Sequence, residues 1–381
     1  MRTFLQYMGC LITALAGVSL LNTPALAEEE VKGLLDRLMA APTVKAEEGF
    51  RAEMLIPPGE FYDPLWLHAQ GDAVWLNDDG GEEGEKGSRL VSISKAGKIS
   101  ELVGLGRLLP VTGYGVAPES FGEFAGHIYS IAQAKVAAPG ATANHVIQRV
   151  DPQSKDVATV VCTLTEAGNI NKGVSGFGVD ARFGPAGSPF ADRFFAATAF
   201  NNTIYQVKAD NTCSPFVTFD GAVTGAPMGI AFSPDGKSML VTLKKGGILE
   251  PPTPGSGMVV RVSPDGKVDE KPVVQGLSQP MGIMVAPANF GAYGGQIFVA
   301  DGQDIQAPVP MTQALNADGK VYRVGDDGKP QLVASGFFNP VGMLVVNGAL
   351  WVTDINGDFI AGKRELPDGF IVKLTPTTTS K

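Results

Sequence analysis

The sequence predicts an all-β protein, a six-bladed β-propeller with four antiparallel strands per blade. Three observations carry that prediction. A short phrase recurs six times, most clearly as Pro227-Met228-Gly229-Ile230, Pro280-Met281-Gly282-Ile283 and Pro340-Val341-Gly342-Met343. Weaker copies are Ser175-Gly176-Phe177, Thr112-Gly113-Tyr114 and Pro64-Leu65-Trp66, and the six repeat positions lie 47 to 63 residues apart, about one blade's length. Between them run short β-branched and aromatic stretches separated by Pro, Gly and Asp turns, which read as strands rather than helices. A second self-match supports the first. Val116-Ala117-Pro118 with Phe121-Gly122, Gly126 and Ile128 returns 169 residues later as Val285-Ala286-Pro287 with Phe290-Gly291, Gly295 and Ile297.

Residues 1–27 read as an export signal. Arg2 supplies the positive start, Leu11 to Leu21 the apolar run, and Ala25-Leu26-Ala27 the cleavage site. Gly17 and Ser19 interrupt a run already too short for stable membrane insertion. The mature chain is therefore expected to begin at Glu28, exported to the periplasm or the extracellular space. Residues 28–48 are expected to form a short helix and a linker. Val31, Leu34, Leu35, Leu38 and Met39 recur at helical spacing behind Glu28-Glu29-Glu30, a charge pattern suited to a helix N-terminus.

The propeller is assigned to residues 49–375. Blade four displays its pattern: Gly229-Ile230-Ala231-Phe232, then Ser238 to Thr242, Met258 to Val262, and an outer strand over Lys271 to Gln275. Ser233-Pro234-Asp235-Gly236 and Ser263-Pro264-Asp265-Gly266 make the turns, Pro presetting φ and Gly accepting positive φ. The sixth repeat contains only three strands before the chain ends. Its missing outer strand is assigned to Phe50 to Ile56, which would close the ring and remove a free edge. Residues 376–381 are expected to fray.

Without the export signal the chain has 29 basic and 39 acidic side chains. That balance disfavours nucleic acid and anionic membrane surfaces as partners, because both require a cationic face. Glycine is abundant, 48 of 381 residues, yet 44% of the chain is hydrophobic, so the glycine points to tight turns rather than disorder. The chain reads as a monomer whose partner is a small molecule or another protein. Cys162 ends one outer strand and Cys213 begins the next blade's outer strand. They are expected at opposite faces and unbridged.

In a propeller, the loops leading into the inner strands share one face with those joining strands two and three. Here those loops are polar. They supply Asp63, Asn171, Asp301 and Asp354 as candidate metal ligands, and Asp78 or Asp79 as a candidate catalytic base. Lys172, Asn201, Asn202, Lys244 and Asn356 are candidate ligand-binding residues. Carboxylates and amides converging on one axis suit Ca²⁺ or another divalent cation, which takes 6–8 oxygen ligands. The same residue types also favour turns through bonds to their own backbone, so a purely structural role stays open. No zinc spacing, nucleophile elbow or phosphate loop occurs.

Pro227 to Gly236 and Leu350-Trp351-Val352-Thr353-Asp354 resemble the six-bladed propellers of the gluconolactonase/senescence-marker-protein group, the NHL-repeat proteins and the quinoprotein sugar dehydrogenases. The resemblance covers residues 50–374 and implies architecture more than activity. The lactonase likeness implies a divalent metal held by a carboxylate near a Pro-x-Trp, here Asp63-Pro64-Leu65-Trp66. This chain has Met228 where that group has asparagine, and Leu243-Lys244 where it has an aspartate. The quinoprotein likeness implies pyrroloquinoline quinone with a histidine base and cations, for which His145, Lys172, Lys244 and Lys245 are available. Three readings follow: a binding propeller without catalysis, a metal-assisted hydrolase of a lactone or sugar-like substrate, and a quinoprotein sugar dehydrogenase.

Overall fold

The computed structural model describes residues 40, 42–78, 88–104, 107–109, 111–133, 145–164, 178–199, 201–221, 223–245, 253–302, 318–325, 327–355 and 367–377. The expected helix over residues 28–41 falls almost wholly outside them, as does the repeat copy at Gly176.

Six antiparallel sheets, each with four strands of one blade, are arranged in a closed ring. The inner strands are Pro64–Gln70, Val111–Val116, Gly178–Phe183, Ala226–Phe232, Pro280–Val285 and Pro340–Val346, and each packs on the next, the sixth on the first. Blade four follows the sequence pattern except at its outer strand, which is Val274–Leu277 rather than Lys271 to Gln275. The expected closure is present: Phe50–Phe61 pairs antiparallel with Gly369–Pro376 as the outer strand of blade six. The sequence reading missed a further strand, Lys45–Ala46, which extends blade five beyond Pro330–Phe337. The two self-matching segments form equivalent 3-10 turns, Glu119–Phe124 and Gly291–Tyr293, each anchored by a buried phenylalanine, Phe121 and Phe290.

The repeated glycine is explained by the ring. A Cβ at Gly282 would overlap the carbonyl of Val341 in the next blade, and one at Gly342 would overlap that of Leu65. Only glycine lets neighbouring inner strands approach this closely. In several blades a polar residue on the second strand then ties the close approach, although blade five has Ala300 at that place. Asn77 accepts the Trp66 N–H at 3.0 Å and donates to the Val111 carbonyl of blade two at 3.0 Å. Thr242 accepts from Gly229 at 2.7 Å and donates to Met281 of blade five at 2.9 Å.

Cys162 and Cys213 correct the sequence reading, because they form a disulfide with Cα atoms 6.5 Å apart. The expectation of separated thiols treated the outer strands as parallel to the ring axis. Neighbouring strands rotate by about 20–25°, so an outer strand is turned by roughly 60–75° from its inner strand. That rotation carries blade two's outer strand, Thr159–Thr163, towards the start of blade three's, Cys213–Thr218.

Candidate functional site

The mouth is the ring face where inner strands begin and second strands end. Three of its carboxylates occupy one register position. Asp78, Asp301 and Asp354 stand opposite Pro64, Pro280 and Pro340, the prolines that open their blades' inner strands. Proline has no N–H, and the two N–H groups before it need partners inside the fold. Asp78 accepts from Tyr62 and Asp63, both at 3.0 Å. Asp301 accepts from Ser278 and from Gln279, the latter at 2.7 Å, and Asp354 accepts from Phe338 at 2.8 Å and Asn339 at 2.9 Å. All three carboxylates are buried.

The second oxygen of Asp78 takes the Arg89 guanidinium, with contacts of 2.9 Å from Nε and 2.8 Å from the terminal nitrogen. Burial raises the carboxyl pKa of Asp78, and Arg89 opposes the rise. Asp63, half-buried, lies in the turn that Asp78 holds.

Asn201 and Asn202 form the turn between strands two and three of blade three. Asn202 adopts φ +52°, a left-handed conformation that asparagine tolerates. Asn201 is buried; its Oδ1 accepts from Thr198 and its Nδ2 donates to the Tyr205 hydroxyl at 2.8 Å. Lys244 ends the second strand of blade four and is almost wholly buried. Asp79, Asn171, Lys172 and Asn356 lie outside the described residues.

Just below these turns the channel is filled by apolar side chains. Met228, Val341 and Trp66 are buried in one cluster with Val111, Val179 and Ala226, and Leu65, Met281 and Ile355 pack against it. The Trp66 indole N–H reaches both Thr112 of blade two and Val179 of blade three, at 2.7 Å each. An apolar layer therefore lies beneath the mouth turns.

A layer deeper, the ring carries a polar group that the sequence reading did not single out. His68 and Arg182 occupy one register position in blades one and three, opposite Trp75 and Phe195; Gly115 holds it in blade two, opposite Tyr129, with Tyr114 the residue before it. Ala231, Met284 and Leu344 fill that position in blades four, five and six. Arg182 Nε contacts the buried Asp180 carboxylate at 3.1 Å, and the His68 and Tyr114 rings lie 4.5 Å apart. Burial, aided by the Arg182 charge, lowers the His68 pKa to about 3, and burial raises the Tyr114 hydroxyl well above its ordinary value. The signal was available: aligning the repeat phrase places His68, Ala231, Met284 and Leu344 two residues past each repeat position.

No family model matches this chain, and no curated protein matches it either. Solved structures do. A pyrroloquinoline quinone-bound aldose sugar dehydrogenase from Streptomyces coelicolor aligns at 14% identity and a TM-score of 0.53, covering 87% of this chain and 100% of that one. A glucose dehydrogenase aligns at 11% identity and a TM-score of 0.56 over 86% of this chain and 100% of its own. A gluconolactonase from Xanthomonas campestris aligns at 13% and 0.50 over 88% and 95%.

This chain shares their six-bladed fold. The metal that the lactonase resemblance implies does not fit the described residues. Asp78, Asp301 and Asp354 are engaged by backbone N–H groups, and Met228 stands in the apolar layer. Among the described residues no three His, Cys, Asp or Glu side chains are grouped for a cation. For the quinone, His145 lies in the third strand of blade two and Lys244 in blade four, two blades apart. Among the described residues no helix is long and apolar enough to cross a membrane.

Proposed function

We propose that the protein is an exported propeller that takes a lactone or sugar-like molecule at the mouth and transforms it. The observation that carries this reading is the apolar layer of Trp66, Met228, Met281 and Val341 that lies beneath the polar mouth turns. Small-molecule sites combine such an apolar wall with a few polar groups that fix orientation. The apolar layer would pack the carbon face of a ring and exclude water, while the rim around Asp63, Asn202 and Lys244 would meet its oxygens. That the fold neighbours include a sugar dehydrogenase and a gluconolactonase supports turnover over passive binding. Export is supported by the leader-like segment over residues 1–27 and by a disulfide of the kind that persists in oxidising compartments.

The test uses the chain from Glu28 onward. Aldonolactones are assayed by proton release, and aldoses by reduction of a dye with and without added quinone and Ca²⁺. Hydrolysis without added metal would support the reading most directly. Saturable binding without turnover would return the passive binder, and absence of both would overturn the reading.

A further inference from the structure

We infer that the layer beneath Trp66 holds a second site, for a neutral hydroxyl-bearing molecule such as a polyol, formed by His68, Tyr114, Asp180 and Arg182. The inference is independent of the mouth reading, because the inner strand of blade one passes from the mouth through Trp66 before it reaches His68.

Three observations support it. Two blades carry polar residues, His68 and Arg182, where the same register is Ala231, Met284 and Leu344 in blades four, five and six, and Tyr114 of blade two lies against His68. A propeller core needs apolar residues there, and a repeat departs from that pattern most readily where function requires it. The polar atoms are also incompletely used. His68 Nε2, the Tyr114 hydroxyl and Asp180 Oδ1 are buried without a hydrogen-bond partner among the described residues. Buried polar atoms left unpaired are costly, so a native site supplies partners from outside the chain. The layer also reaches solvent, since His68 is partly exposed and the Arg182 side chain is 20% exposed.

The chemistry selects the ligand class. Asp180 Oδ2 neutralises Arg182 and also accepts the Ile230 N–H of blade four at 2.8 Å, so the pair is fixed and its net charge is zero. What remains is a Tyr114 hydroxyl that can donate or accept, plus acceptor capacity on His68 Nε2 and Asp180 Oδ1. An anionic ligand would set its charge against Asp180. A hydroxyl both donates and accepts, and a molecule with two or more hydroxyls can serve these atoms together. The Trp66 ring, 5.9 Å from the Arg182 guanidinium carbon, offers an apolar surface above.

Isothermal titration of the chain from Glu28 onward with glycerol, myo-inositol and glucose, and separately with acetate and lactate, tests this. Saturable binding of a neutral polyol is expected, weakened more than tenfold in Tyr114→Phe, which removes one hydroxyl and keeps the ring. Arg182→Lys, with its folding checked by circular dichroism, should weaken the same ligand. Three outcomes would overturn the site: binding unchanged by Tyr114→Phe, binding of the carboxylates alone, or no saturable binding to folded protein.

Discussion

The Thr353 hydroxyl of blade six donates to the Leu65 carbonyl of blade one at 2.6 Å, joining positions 288 residues apart. The same oxygen accepts the Gly342 N–H at 2.7 Å. Thr353 therefore ties the seam where the ring closes, repeating the link that Thr242 makes between blades four and five.

Thr353→Val should consequently leave the Gly342 N–H and the Leu65 carbonyl without this buried partner. The expected loss is about 1–3 kcal/mol of unfolding free energy, while Thr353→Ser retains most of it. Urea unfolding checks this. A valine variant as stable as the parent would show that the seam does not depend on this hydroxyl.

Asp301→Ala and Asp354→Ala should act on stability before they act on chemistry. Each removes a buried charged acceptor from two backbone N–H groups ahead of a proline. A hydrogen bond to a charged group contributes about 1.5–3 kcal/mol, so each variant should melt clearly below the parent. Chelator or added Ca²⁺ should leave the parent's melting temperature unchanged. A calcium-dependent rise that Asp354→Ala abolishes would reinstate the metal.

How much of this was legible follows from the range of each interaction. The blades, their glycine-dependent contacts and the closing strand are written in local periodicity, and Gly282 and Gly342 could be placed by counting. Asp78, Asp301 and Asp354 were found as residues, but their partners were not. The N–H groups they hold come from turns 15 to 23 residues earlier, and only the proline opposite each aspartate reveals the device. The Cys162–Cys213 bond was missed because strand rotation is a property of the sheet, invisible to a count along the chain. His68 was present in the aligned repeats, two residues past Trp66. Arg182 was not, because the blade-three phrase was counted from Gly176 whereas its inner strand pairs from Gly178, which puts Arg182 at the equivalent place.

The disulfide closes a separation of 51 residues. On the chain-entropy account, a loop of that size stabilises the fold by about 4 kcal/mol. Cys162→Ser/Cys213→Ser should lose stability of that order, and the parent should lose a similar amount under reductant. Mass analysis after thiol alkylation under denaturing conditions should find neither cysteine labelled until reductant is added. Labelling without reductant would contradict the bond.

His145 provides a pH signature. It is buried at the start of blade two's third strand, and burial lowers its pKa from 6.5 to about 3. A depressed histidine binds fewer protons folded than unfolded. Its contribution is therefore complete above about pH 6.5 and is lost as pH falls towards 3, at up to about 1.4 kcal/mol per pH unit. His68 titrates in the same direction, whereas Asp78 and Asp180, raised by burial, favour the folded state more as they protonate. Those carboxyl contributions are common to parent and variant, so comparing the two isolates His145. Unfolding free energies at pH 7, 6 and 5 should fall less steeply for a folded His145→Gln variant than for the parent. Equal slopes would mean that His145 takes up its proton without unfolding.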